Sequence, residues 1–142
     1  MAQPAAWETS LESVLESVEI AEEAVKRFAE EAGFGESDQF FLGLAVREVV
    51  INAIVHGNRR DGSKRVGFGL SMEDQTLSIE VTDEGSGFQL ESVEDPGLPQ
   101  NQDRPSGRGI TMAMAIVDEF QVKGNTPTGT RIQMKKHLTA KA

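Results

Sequence analysis

Glu48 and Asn52 are the first residues in this chain whose types and spacing could do chemistry together. They sit four positions apart in a long apolar-rich stretch. At about 100° per residue on a helix they fall one turn apart on the same face. Phe41, Leu44, Ile51 and Val55 fall on the same arc, which reads as the core-facing stripe. A carboxylate and an amide on such a stripe are costly unless something satisfies them. Either the pair points into a crevice and bonds to backbone, or it lines the floor of a site. In the second case the amide oxygen could ligate a hard cation such as Mg²⁺, and the carboxylate could orient or deprotonate a hydroxyl.

Three further segments have the same ambiguity. Thr82-Asp83-Glu84-Gly85-Ser86-Gly87-Phe88 follows a strand-like run, and Asp-x-Gly-x-Gly there allows a tight turn and close approach to a ligand. Many hairpin exits share that pattern. Ser106-Gly107-Arg108-Gly109-Ile110-Thr111 enters a helix, where exposed N–H groups and the helix dipole suit a phosphate, with Arg104 and Arg108 adding charge. A flexible glycine-rich loop would look alike. Gly129-Thr130-Arg131 opens the last strand, where a hydroxyl and a tight backbone could support the same pocket.

Composition limits the alternatives. The 142 residues suffice for one ordinary domain with its own core. There is no cysteine, which removes disulfides, thiolate catalysis and Cys-based zinc sites. His56 and His137 are the only histidines, too few for a His-rich metal site. Fourteen basic residues against 23 acidic ones leave a net charge of −9, which argues against direct nucleic-acid binding. A phosphate ligand must therefore be held by local groups, not by the overall field. The run Val49–Val55 is too short to span a bilayer, and Met1–Trp7 lacks the basic and apolar regions of a secretory signal, so a cytoplasmic location with no membrane partner is expected.

The elements that must position these residues can be read from periodicity. Trp7–Val14 reads as a short strand, and Ser17–Ala32 as a helix stopped by Gly33. Ser37 reads as the N-cap of a second helix, Asp38–Val55, ending before Gly57 and Asn58. Val66, Phe68 and Leu70 alternate, Asp74-Gln75 turns the chain, and Leu77, Ile79 and Val81 alternate again: a β-hairpin. A Gly/Pro-rich loop follows from Glu84 to Ser106. Gly109–Val117 reads as a short helix, with Met112, Met114 and Phe120 assigned to the core. Strands around Phe120–Val122 and Thr130–Met134 flank a turn at Asn125–Gly129. The expected class is α+β, a two-layer sandwich with helices on one face of a mixed, mostly antiparallel sheet, in a single domain over 1–142.

Taken in order, Glu48-x-x-x-Asn52, Asp83-x-Gly85-x-Gly87, Gly107-x-Gly109 and Gly129-Thr130 closely resemble the N-box and glycine boxes of the GHKL (Bergerat-fold) superfamily. Arg47-Glu-Val-Val-Ile-Asn-Ala-Ile-Val-His-Gly57 and Ser106-Gly-Arg-Gly-Ile110 look most like the anti-sigma serine/threonine kinases of bacterial partner-switching systems, and the likeness runs from about Trp7 to Leu138. It implies an ATP-dependent protein kinase with ATP and Mg²⁺ as cofactors. In such proteins Asn52 would hold Mg²⁺ and Glu48 would be the catalytic carboxylate. Asp83 would take the adenine amino group, with Gly85 and Gly87 packing on the base and Thr130 beside it. Arg104, Gly107, Arg108 and Gly109 would meet the phosphates, and residues 88–106 would form an ATP lid. The implied partners are a STAS-domain anti-sigma antagonist and a sigma factor, the implied assembly a homodimer. The resemblance also leaves room for a non-catalytic ATP-binding regulator, or for a kinase of a STAS partner in a pathway without a sigma factor. No Walker A or eukaryotic-type kinase motif is present.

Overall fold

A computed structural model of the protein describes residues 6–58, 61–85, 105–126 and 129–139. The chain runs β1 (Ala6–Glu12), α1 (Glu16–Ala32), α2 (Glu36–Asn52), a π-helical turn (Ala53–Gly57), β2 (Arg65–Glu73), β3 (Thr76–Asp83), α3 (Pro105–Ile116), β4 (Glu119–Thr126) and β5 (Gly129–His137). The five strands form one sheet in the order β1-β2-β3-β5-β4. All four pairings are antiparallel, so the expected α+β architecture holds but its sheet is not mixed.

The hairpin between β2 and β3 closes through Asp74 and Gln75, both with positive φ (51° and 60°). Two consecutive left-handed residues match the right-handed twist of the flanking strands. That fixes the register Phe68↔Val81 and Leu70↔Ile79, which points Val66, Phe68, Leu70, Leu77, Ile79 and Val81 to one buried face. Ile132 and Met134 of β5 extend the same face.

The helices cover that face. α1 buries Val18, Ala21, Val25, Phe28 and Ala32 and stops at Gly33, whose φ of 106° suits glycine and whose N–H caps Ala29 and Glu30 carbonyls. α2 begins at Glu36, earlier than expected: Gly35, in extended backbone, occupies the N-cap position, no side chain caps the helix, and Ser37 lies inside it. The buried stripe of α2 is also not the expected one. Leu42, Ala45, Val46, Val49 and Val50 are fully buried, whereas Phe41 is 46% exposed and Leu44, Ile51 and Val55 are only partly buried. The cause is that α2 packs against the sheet, α1 and α3 together, so apolar residues surround it and periodicity no longer singles out a face. The segment Glu36–Gly57 is long and apolar enough to cross a membrane, yet over half of its most apolar 18-residue window is buried inside the molecule, as in a core helix.

α3 starts at Pro105, not Gly109. It buries Ile110 and Ala113, and Val117 directly after it continues the spacing of three and four, so Met112 and Met114 face outward (36% and 40% exposed) instead of joining the core. Phe120 packs against the core as expected. β1 ends at Glu12, before Val14, and β4 continues to Thr126 with an irregularity between Lys123 and Thr126.

Candidate functional site

Asp83 is the last residue of β3, opposite Thr130 in the β3–β5 ladder. Strand alternation turns it to the helix-covered face, where it is 5% exposed. Its Oδ1 accepts the Gly85 N–H at 2.9 Å. Burial raises the carboxyl above its ordinary value, and the backbone N–H groups of Gly85 and Thr130, with the Lys64 charge, oppose that shift. An acid held this way keeps acceptor capacity beyond its backbone bonds, in a buried position.

Glycines make that placement possible. A Cβ at Gly57 would overlap the Asp83 carboxylate, one at Gly85 would overlap the Gly57 carbonyl oxygen, and one at Gly129 would overlap the Asp83 carbonyl oxygen. The π-helical turn brings Gly57 there, because its wider winding redirects the chain directly after α2.

Asn52 closes the α-helical part of α2 and is 5% exposed. Its side-chain amide has no hydrogen bond to another described residue. Leaving a buried amide unpaired costs about 1–3 kcal/mol, so this one is free to take up a polar ligand. Glu48, one turn earlier, is half-buried. Its Oε2 lies where a Cβ on Gly109 of α3 would be, so α2 and α3 meet through a carboxylate and a glycine. The set therefore has an acceptor at Asp83, an unpartnered amide at Asn52 and a carboxylate at the α3 start, joined by α2 and the turn that follows it.

Residues 11–136 match the family of histidine kinase-like ATPase domains. The chain belongs to this GHKL family. Membership of an ATPase family implies ATP binding, and the orphan amide and buried acceptor fit a nucleotide. The anti-sigma F factor of Clostridium acetobutylicum is 39% identical over 97 residues, covering 66% of this chain and 66% of that protein. Those of Anoxybacillus flavithermus (34% over 102 residues, 69% and 68% covered) and Clostridium perfringens (37% over 101 residues, 68% and 71%) are comparable. The chain thus spans about two thirds of these relatives. Among solved structures, the RsbU and RsbW domains of a Mycobacterium tuberculosis protein superpose with a TM-score of 0.71 at 20% identity, covering 96% of this chain and 33% of that one. The mycobacterial sensor histidine kinase MprB gives 0.57 at 20%, covering 95% and 100%. Both likenesses concern the fold of the GHKL domain.

Apart from Asn52, the expected site residues divide into four groups. Asp83, Gly85 and Thr130 come together at the ends of β3 and β5, and Glu48 and Gly109 come together between α2 and α3. Gly107 and Arg108 lie in the first turn of α3, inside the helix and not in a loop before it, because α3 begins two residues ahead of Gly107. Gly87 and Arg104 lie outside the described residues, as does the expected lid except for Pro105 and Ser106 at the start of α3. Sequence reasoning missed Asn58, which is fully buried and bonded to three segments, because a residue after a helix-ending glycine reads as a stop signal. Its neighbour Gly57, fixed against Asp83, was the available clue.

Proposed function

We propose that this GHKL domain is an ATP-dependent serine/threonine protein kinase acting as an anti-sigma factor, which phosphorylates a STAS-type antagonist and sequesters a sigma factor. The observation that carries the proposal is the buried Asn52 amide, without a hydrogen-bond partner among the described residues, one turn from Glu48, whose carboxylate lies against Gly109 of α3. The anti-sigma F factors aligned above support the partner assignment. A single domain over 1–142, a homodimer, a cytoplasmic location and no direct nucleic-acid or membrane partner complete the reading.

Each residue then has a task. Asp83 accepts the adenine amino group, and guanine, which offers a carbonyl oxygen at that edge, is disfavoured. Gly85 and Gly87 let the base approach the backbone, with Thr130 beside it. The N–H groups at the start of α3, including Gly107 and Arg108, and the Arg104 side chain meet the phosphates, with Gly109 leaving room beside them. No group of three or more His, Asp or Glu side chains that could hold a metal occurs among the described residues. In this reading the Asn52 oxygen would bind Mg²⁺ together with phosphate oxygens, a ligand set suited to that hard cation. When bound, Mg²⁺ neutralises charge on the phosphates. Glu48 takes the proton of the acceptor serine or threonine hydroxyl as its oxygen bonds to the γ-phosphorus, the bond from γ-phosphorus to the bridging oxygen breaks, and ADP leaves.

The test is phosphoryl transfer from labelled ATP to a STAS-domain protein, with Glu48→Gln alongside. The variant is expected to bind ATP normally and to lose transfer by about 10²-fold or more. A fully active Glu48→Gln overturns the assignment. A wild-type chain that binds ATP without transferring it is a nucleotide-gated regulator instead.

A further inference from the structure

Asn58 is fully buried and its side chain makes three hydrogen bonds, to three separate segments. Its Nδ2 donates to Ser13 Oγ at 2.7 Å and to the Arg65 carbonyl at 3.0 Å. Its Oδ1 accepts the Glu84 N–H at 2.7 Å. Its own N–H donates to the Ala53 carbonyl at 2.7 Å, closing the π-helical turn. The Glu84 carboxylate in turn accepts the Arg65 N–H, so Asn58, Arg65 and Glu84 form a closed ring of hydrogen bonds.

That ring holds the peptide directly after Asp83. The Asp83–Glu84–Gly85 turn is what places the Gly85 N–H on Asp83 Oδ1 and seats Gly85 against the Gly57 carbonyl. Only an amide of this length has both the acceptor for Glu84 and the two-hydrogen donor for Ser13 and Arg65. We infer that Asn58 is a positioning residue for base recognition. It locks the turn after β3 to the end of the helix carrying Asn52, and so sets the angle at which Asp83 presents its acceptor to the purine. This inference rests on the reading of Asp83 as the base-recognition residue.

Asn58→Ala removes the Glu84 partner as well as the two donor bonds, and Ser13→Ala removes one distal bond while leaving the Glu84 bond in place. Both are measured in the full chain by equilibrium binding of ATP and GTP, with thermal unfolding recorded in parallel. Asn58→Ala is expected to weaken ATP about tenfold and to narrow the ATP-over-GTP ratio, because a misoriented acceptor loses its preference for an amino group. Ser13→Ala is expected to lower the melting temperature while leaving the ratio intact. If Asn58→Ala lowers the melting temperature alone and keeps both ATP affinity and the ratio, its role is purely structural and the inference fails. A variant too unstable to measure is replaced by Asn58→Asp, which keeps the Glu84 acceptor but loses the donor bond to the Arg65 carbonyl, so the ring opens and the ratio is expected to narrow. A ratio retained in Asn58→Asp overturns the inference equally. Failure of the wild type to prefer ATP over GTP would instead remove the reading of Asp83, independently of Asn58.

Discussion

Replacing Gly109 by alanine isolates the contact between α3 and the Glu48 carboxylate. A Cβ there would overlap Glu48 Oε2 and lie 3.1 Å from its Cδ and 3.3 Å from its Cβ. Ordinary carbon–carbon contact is about 3.5–4.0 Å, so the carboxylate must swing by about 1 Å. The clash is with the end of a flexible side chain, which can move, and alanine is favoured over glycine inside a helix by about 0.5–1 kcal/mol. The fold should therefore hold or gain slightly, with a melting temperature unchanged or raised by a few degrees. The N–H of residue 109 remains, so ATP affinity should stay within about threefold. Transfer should not survive as well: a displacement of about 1 Å at a reacting group costs on the order of 10²-fold. Phosphoryl transfer to a STAS partner at saturating ATP, with nucleotide binding measured separately, reads both quantities. Full transfer in Gly109→Ala would refute the argument that α3 fixes Glu48. So would a loss of ATP affinity as large as the loss of rate, which would place the Cβ against nucleotide and not carboxylate.

Asp83→Asn should lose ATP binding by about tenfold to a hundredfold, measured by isothermal titration, while raising the melting temperature of the free protein at neutral pH. The folded pKa of Asp83 is raised by burial, so folding favours its protonated form. That contribution is present in full below the unfolded value and is lost as pH rises through the folded one. The stability gap between Asp83→Asn and wild type should consequently shrink as pH falls through the raised pKa, and a gap that widens would reverse the sign of the argument. Gly85→Ala drives a Cβ into the Gly57 carbonyl, and backbone cannot step aside as a side chain does. It should lower the melting temperature and abolish ATP binding together, and a stable variant that binds ATP would contradict the packing described.

The sheet and α1 were legible because each has one wet face and one dry face. Val66, Phe68 and Leu70 alternate cleanly, and the stop at Gly33 coincides with a left-handed backbone only glycine adopts easily. α2 was legible as a helix but not as a face. With the sheet, α1 and α3 all against it, its apolar residues no longer mark a direction, and Phe41 was placed inside although it is exposed. Glu48 and Asn52 were nevertheless found, because polar residues interrupting an apolar run remain visible whichever way the helix turns. Asn58 was not, because its partners Ser13, Arg65 and Glu84 are up to 45 positions away, and a tertiary hydrogen-bond ring leaves no local period.

The positions where ordinary folding preferences fail all lie along one path, from Glu48 through Asn52 and the π-helical turn to Asp83. An amide without a partner among the described residues and a buried carboxylate each oppose folding, and the packed glycines beside them give up side-chain contacts. No stabilising logic internal to the chain explains why all three occur together. In the proposed reading, a ligand that supplied a cation to Asn52 and an amino group to Asp83 would offset both costs at once. Its binding then stabilises the fold in proportion to its occupancy. The stretch Asn52–Asn58 is consequently where nucleotide occupancy and the packing of α2 are coupled. The same few residues carry the buried end of the helix, the turn of the backbone and the base acceptor's support.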